Sequence, residues 1–100
     1  MKESDIQKQI LDYLRLKGCL VFKVNNGGVY IKKLNRYMKS PQKGISDIVG
    51  ETKKGRFLAI EVKKKYNKPS PEQLDFIEQV KARGGIGLVA YCLDDVMKII

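Results

Sequence analysis

Residues 56–65, with the sequence RFLAIEVKKK, constrain the fold of this chain more than any other segment. Their side chains alternate in character with a period of two, which predicts a β-strand with one apolar face. The alternating positions are Leu58, Ile60 and Val62 on one face and Ala59, Glu61 and Lys63 on the other. A turn signal at 53–55 precedes this strand, and a second alternating run, GISDIVGE at 44–51, precedes the turn. The sequence therefore predicts an antiparallel hairpin in which Asp47 also lies inside a strand.

Helical periodicity is found on both sides of this hairpin. The first predicted helix, residues 4–17, begins at the N-cap Ser4, ends before Gly18 and carries an apolar stripe. The second begins at the N-cap Ser70, with Gln73 completing a capping box, and runs to about Arg83. The positions predicted to be buried are Ile6, Ile10, Leu11 and Leu14 in the first helix and Leu74, Ile77 and Val80 in the second.

With the remaining segments, the sequence predicts a small α/β fold whose sheet is mixed, which is the α+β type. Residues 19–25 and 86–92 are predicted to be strands, and residues 94–100 a short helix. Residues 25–28 are predicted to form a turn. Residues 29–43 are predicted to form a loop, with a short strand at 29–31 as an alternative. The resulting order is αβββαβα, a mixed sheet flanked by helices. With 100 residues, the chain is expected to form a single domain, 1–100.

Composition excludes several kinds of chemistry. The absence of histidine excludes a Ser-His-Asp or Cys-His site and an HExxH zinc protease. Two cysteines are too few for a four-ligand structural zinc site or a disulfide framework. The N-terminus has no apolar signal region, and no apolar run reaches the length of a membrane span. We therefore expect an intracellular, cytoplasmic protein without a membrane partner.

The charge distribution indicates a phosphate-binding surface. The formal net charge is +9, and residues 32–68 hold the entire surplus, with twelve Lys or Arg against three Asp or Glu. A basic segment with interspersed tyrosines is typical of nucleic-acid binding. Ordinary solubility charges on an edge strand are the alternative for the lysines at 64, 65 and 68. The predicted DNA-binding residues are Lys32, Lys33, Arg36, Lys39, Lys43, Lys64, Lys65 and, through its turn, Asn26.

Two acidic residues of the hairpin are expected to face each other. Pairing about the turn at 53–55 places Asp47 opposite Glu61, and two carboxylates this close are unfavourable unless a cation lies between them. Mg²⁺ suits such a pair because it accepts few carboxylates and keeps sites open for water and phosphate. Lys63 shares the face of Glu61 and could hold or deprotonate a water, or neutralise a phosphate. The alternative is a solvated strand face with a cross-strand ion pair.

The pattern G-x-S-D, then E-V-K, then Q on the next helix resembles that of the PD-(D/E)xK nucleases, and more narrowly that of the virus-type replication-repair nuclease (VRR-NUC) domain. The resemblance covers essentially the whole chain, including the element order. Ser46 stands where the motif has proline, a variable structural position. The matching residues are Glu3, Gly44, Ser46, Asp47, Glu61, Val62, Lys63 and Gln73.

The resemblance implies a restriction-endonuclease-like core that coordinates Mg²⁺ or Mn²⁺ through Asp47, Glu61 and the Val62 carbonyl, with Glu3 acting directly or through water. Lys63 would be the catalytic lysine, and Gln73 would orient this lysine or the water. For Glu3 the alternative is favourable placement at a helix start, and for Gln73 it is helix capping.

The implied substrate is branched DNA, such as a four-way (Holliday) junction, cut by a homodimer in replication, recombination or repair. A short chain of this kind also suggests a phage or prophage origin. Two other hypotheses remain open: a non-catalytic basic module that binds nucleic acid, and a small subunit that binds an acidic protein through its basic face.

Overall fold

The structure is a computed structural model that describes residues 1–24, 29–31, 33, 35–38 and 43–100. For residues 29–31 and 36–38 it describes the backbone alone. The elements are α1 (Glu3–Leu16), β1 (Leu20–Lys23), β2 (Val29–Ile31), β3 (Arg36–Met38), β4 (Ile48–Glu51), β5 (Phe57–Val62), α2 (Pro71–Ala82), β6 (Ile86–Ala90) and α3 (Leu93–Met97).

A four-stranded mixed sheet with the order β1-β4-β5-β6 organises the molecule. β1 and β4 are antiparallel, β4 and β5 are antiparallel, and β6 runs parallel to β5. The register pairs Ile48 with Ile60 and Val49 with Ala59, which is the predicted pairing about the turn. At that turn Gly55 has φ +83°, and its N–H donates to the Thr52 carbonyl oxygen at 2.9 Å.

The two faces of the sheet are covered by different helices. On one face α1 and α3 pack over a core that includes every residue of the predicted α1 stripe and the alternate β5 residues Leu58, Ile60 and Val62. On the other face Ala59 packs with Val49 and with Val80 of α2. Because side chains alternate along β5, Glu61 lies on the α2 face. The mixed sheet and the α+β class are confirmed.

The helix ends agree only in part with the sequence prediction. Ser4 is not the N-cap, because α1 already begins at Glu3 and its cap is Lys2, two residues earlier than predicted. Gly18, with φ +84°, follows the C-cap of α1 as predicted. In α2 the capping box of Ser70 and Gln73 is confirmed. The predicted burial of Leu74 is wrong: its side chain is 45% exposed, while Phe76 packs on the core instead.

Residues 29–43 contain more regular structure than the predicted loop. β2 and β3 pair antiparallel, with Tyr30 opposite Tyr37, as a two-stranded sheet separate from the main one. The suggested strand at 29–31 is therefore confirmed. The sequence did not predict β3, because a three-residue segment without an alternating pattern gives no strand signal. The predicted turn at 25–28 lies outside the described residues. Within the described part of the chain, no helix is long and apolar enough to cross a membrane.

Candidate functional site

Asp47 is held where β4 begins. It lies one residue before the strand rather than inside it, because β4 starts at Ile48. Its carbonyl oxygen accepts a hydrogen bond from the Val24 N–H at 2.7 Å, and its carboxylate Oδ2 accepts one from the Val62 N–H at 2.9 Å. Continuing the β4–β5 register by one residue places Asp47 opposite Glu61, as predicted. One hydrogen bond thus fixes the backbone of Asp47 and the other fixes its carboxylate.

Glu61 is the most deeply buried acid among the described residues, with 1% of its surface exposed. Its Oε2 accepts a hydrogen bond from Gln73 Nε2 at 3.1 Å and lies 3.8 Å from Lys63 Nζ. Its other oxygen, Oε1, is buried without a hydrogen-bond partner in the described part of the chain. An unsatisfied buried carboxylate oxygen is unfavourable and calls for a ligand.

Burial first, and then hydrogen bonding with and charge repulsion from the adjacent Asp47 carboxyl, together raise the pKa of Glu61 to about 8. Lys63 opposes this shift, while Glu3 adds a small repulsion. Glu61 therefore retains a proton at neutral pH when no cation is present. A cation bound at the two carboxyl groups would displace this proton.

Gln73 connects the first turn of α2 to this pair. Its Oε1 accepts a hydrogen bond from the Ser70 N–H at 2.8 Å, so the amide is oriented with Nε2 toward Glu61. Its own N–H donates to Ser70 Oγ at 3.2 Å. The two roles considered for Gln73, capping and site orientation, are therefore compatible, since one amide group makes both contacts.

The segment that carries Asp47 packs directly on the start of α2. Gly44 has φ +83°, and a Cβ atom there would lie 2.5 Å from the Glu72 carbonyl oxygen. Only glycine permits both this backbone conformation and this close approach. Beside it, Lys43 forms an ion pair of 3.4 Å with Glu72. This contact holds Asp47 and Gln73 at the same end of β5.

Glu3 is at the start of α1, near the same end of the sheet. Its Oε2 accepts a hydrogen bond from the Lys64 N–H at 3.0 Å, so it ties α1 to the end of β5. No group of three or more acidic, cysteine or histidine residues that could hold a metal is present among the described residues. Of the predicted metal ligands, Asp47 and Glu61 are adjacent, since their carboxyl groups interact directly.

This pair fits a hard divalent cation. Two carboxylates, one with an unpartnered oxygen, provide the oxygen donors that Mg²⁺ and Mn²⁺ prefer, and Mg²⁺ commonly binds through one or two carboxylates with waters in its other positions. The small number of protein donors leaves room for a phosphate oxygen. The absence of histidine and the burial of one of the two cysteines, Cys19, make a softer metal a poorer match.

The predicted DNA-binding residues fall into three groups. Lys64 and Lys65 are exposed directly after the site, and Lys33 and Lys43 are also exposed. Arg36 lies in β3, with only its backbone described. Asn26, Lys32 and Lys39 lie outside the described residues.

Sequence reasoning did not single out Tyr66, which follows Lys63 by three residues. It has φ +74°, and 88% of its surface is exposed. The sequence marks this tyrosine only by its place in the basic run KKKYNK at 63–68. Its positive φ could not be predicted, because a tyrosine side chain does not favour that conformation.

Comparison with known proteins places the chain in a family. Residues 23–92 match the family model of the VRR-NUC domain. A solved structure described as a VRR_NUC domain is similar in fold, with a TM-score of 0.72 and 24% sequence identity over 97% of this chain and 91% of that one. A search of curated proteins finds no match.

The fold and the family match define the class as a nuclease domain of the PD-(D/E)xK type, which generally uses divalent metals and for which DNA is the implied substrate. Within that class, the chain belongs to the VRR-NUC family.

Proposed function

We propose that this chain is a divalent-metal-dependent DNA endonuclease whose ion is held by Asp47 and Glu61. The observation that carries the proposal is the buried Glu61 Oε1, which has no hydrogen-bond partner in the described part of the chain and lies beside a second carboxylate. Beside the Asp47 carboxylate, a buried and unpartnered carboxylate oxygen is unfavourable without a cation, which supports a metal ion over a simple salt bridge. The Val62 carbonyl and Glu3, directly or through water, complete the proposed ligand set.

The chain's own residues have distinct roles in phosphodiester hydrolysis. Bound Mg²⁺ or Mn²⁺ would supply Lewis-acid polarisation of the phosphoryl oxygens and a more acidic water. Lys63, anchored 3.8 Å from Glu61 and with 19% of its side chain exposed, would hold the attacking water and offset negative charge on the phosphate. Gln73 would keep the Glu61 carboxylate in one orientation.

The proposed substrate is branched DNA, with the four-way (Holliday) junction as its main form, and the proposed setting is replication, recombination or repair inside the cell. The exposed lysines at 33, 43, 64 and 65 would contact phosphates, which provides affinity without reading sequence. The shape of the DNA, rather than its base sequence, would then determine which substrate is bound. A homodimer is part of this proposal because two-fold symmetry would present two such sites to two strands.

A cleavage assay tests the proposal. Labelled four-way junction, duplex and single-stranded DNA are incubated with and without Mg²⁺, using the wild type, Asp47→Asn and Glu61→Gln. We expect Mg²⁺-dependent cleavage, favouring the junction, that falls roughly 100-fold or more in either variant while junction binding changes little. The matched control is Glu78→Gln, which removes an exposed acid of α2 paired with Lys81.

Two results would contradict the proposal. Undiminished cleavage by either site variant would remove Asp47 and Glu61 from the site. Salt-dependent DNA binding by the wild type without any metal requirement or cleavage would instead identify a non-catalytic nucleic-acid-binding module.

A further inference from the structure

Tyr66 occupies a backbone position that does not suit a tyrosine. The Asn67 N–H donates to the Lys64 carbonyl oxygen at 3.0 Å, which closes a four-residue turn. Tyr66 is the third residue of this turn and has φ +74°. A positive φ at the third position is characteristic of a type II turn, where glycine or asparagine is strongly preferred. The residue is therefore held in a strained conformation.

The fold gains little from the tyrosine ring. The side chain is 88% exposed, and neither hydrophobic cluster of the described residues includes it. The ring contact of Tyr66 is with Lys65, whose Nζ lies 5.2 Å from the ring centroid. Since Lys65 is itself exposed, this contact does not bury the ring. A bulky aromatic group presented to solvent at a strained position indicates a role outside the fold.

The surroundings of Tyr66 match one kind of ligand. Residues 63–68 contain four lysines and no acid, so the ring stands within a cationic segment. Tyr66 follows Lys63 by three residues, and a chain of three residues spans at most about 11 Å. An aromatic ring surrounded by lysines, this close to the carboxylate pair, suits a nucleobase whose flanking phosphates contact the lysines.

We propose that Tyr66 is a stacking platform for an unpaired nucleobase of DNA next to the cleaved phosphodiester. The inference rests on the proposed endonuclease function and adds the feature of the substrate that this residue recognises. A base stacked inside a duplex cannot offer its face to the ring, whereas an unpaired base at a branch point can. Tyr66 thus favours DNA with an unpaired nucleotide over a continuous duplex.

The test compares stability and binding in the same variants. Tyr66→Asn should raise the melting temperature by roughly 4 °C, because asparagine tolerates a positive φ. The same change should weaken binding to a four-way junction with unpaired nucleotides about tenfold and binding to an equally long duplex much less. Binding is measured in a Glu61→Gln background, so that the DNA stays intact. Leu16→Asn, which removes a side chain that is 87% exposed in the last turn of α1, is the matched control and should leave both affinities unchanged.

A fluorescent variant provides a direct reading of stacking. The chain contains no tryptophan, so Tyr66→Trp introduces a single reporter. It should retain affinity for the junction with unpaired nucleotides, and its emission should be quenched by that junction but not by the duplex. A lower melting temperature for Tyr66→Asn, unchanged junction affinity, or no fluorescence change would overturn the proposal. Each of these results is independent of cleavage, so a failure of the nuclease assignment would be recognised separately in the metal-dependent assay.

Discussion

Glu61 is a carboxyl group in surroundings that disfavour its charged form. It is 1% exposed, and it faces Asp47 across the β4–β5 hairpin. Lys63 compensates only in part, since the pKa of Glu61 remains raised to about 8. Residues of this kind are retained at functional sites at the expense of stability. The metal-free protein should therefore show a measurable pH dependence that originates at this one residue.

The sign of that dependence follows from the direction of the pKa shift. The folded protein binds the Glu61 proton more tightly than the unfolded chain, whose ordinary value is 4.5. The stability associated with this proton is fully present below pH 4.5 and is lost as the pH rises through about 8. We expect Glu61→Gln to remove this loss, because the amide can accept from Gln73 and donate to Asp47 without carrying charge.

Urea unfolding in EDTA measures the effect. Between pH 5 and pH 8.5 the free energy of unfolding of the wild type should fall, relative to Glu61→Gln, by on the order of 3 kcal/mol. Added Mg²⁺ should reduce this difference by stabilising only the wild type. Parallel pH profiles for the two proteins in EDTA would show that Glu61 is not the titrating group.

At the scale of elements, the start of α2 serves both the helix and the site. Ser70 and Gln73 close the capping box, and the free end of the same Gln73 amide reaches Glu61. The loop before β4 rests on this first turn through Gly44. A change in the cap can therefore act on helix stability, on the carboxylate, or on both.

Two variants separate these effects. Ser70→Ala removes the hydroxyl cap and should lower the free energy of unfolding by about 1 kcal/mol, but its backbone N–H still orients Gln73, so cleavage should stay within about twofold. Gln73→Ala should cost similar stability and also reduce cleavage by roughly 10- to 100-fold, because Glu61 loses its donor. Thermal unfolding and single-turnover cleavage measure the two quantities. Equal cleavage by both variants would show that Gln73 is only a capping residue.

The elements also show which parts of the fold can be predicted from sequence. The β4–β5 register followed from one turn and an alternating pattern, because both signals are local and agree with each other. The helix periodicity predicted the α1 stripe but not the exposure of Leu74. That exposure depends on where α2 lies over β5 and β6, which is a tertiary property.

The candidate site likewise has features that the sequence predicts and features that it does not. The facing of Asp47 and Glu61 was predictable, since pairing position fixes it. The hydrogen bond from the Val62 N–H to Asp47 and the strained turn at Tyr66 were not. Each depends on the local backbone path, for which no residue preference gives a signal. The β2–β3 hairpin was missed in part for the same reason, because its strands have only three residues each.

At the scale of the whole molecule, the candidate metal site lies within the most basic segment of the chain. The entire surplus of positive charge lies in residues 32–68, and two of the three acids in that segment are Asp47 and Glu61. Exposed Lys64 and Lys65 follow the buried pair directly along the chain. A small anionic site within a basic surface is the arrangement expected where a cation and a phosphate backbone must bind side by side.

Direct titration of Mn²⁺ into the metal-free protein tests the central claim, that Asp47 and Glu61 hold a divalent cation. Calorimetry on the wild type should show saturable binding that weakens at least about tenfold in both Asp47→Asn and Glu61→Gln and is unchanged in the exposed control Glu78→Gln. If Glu61→Gln bound Mn²⁺ as tightly as the wild type, the buried carboxylate pair would not be the metal site.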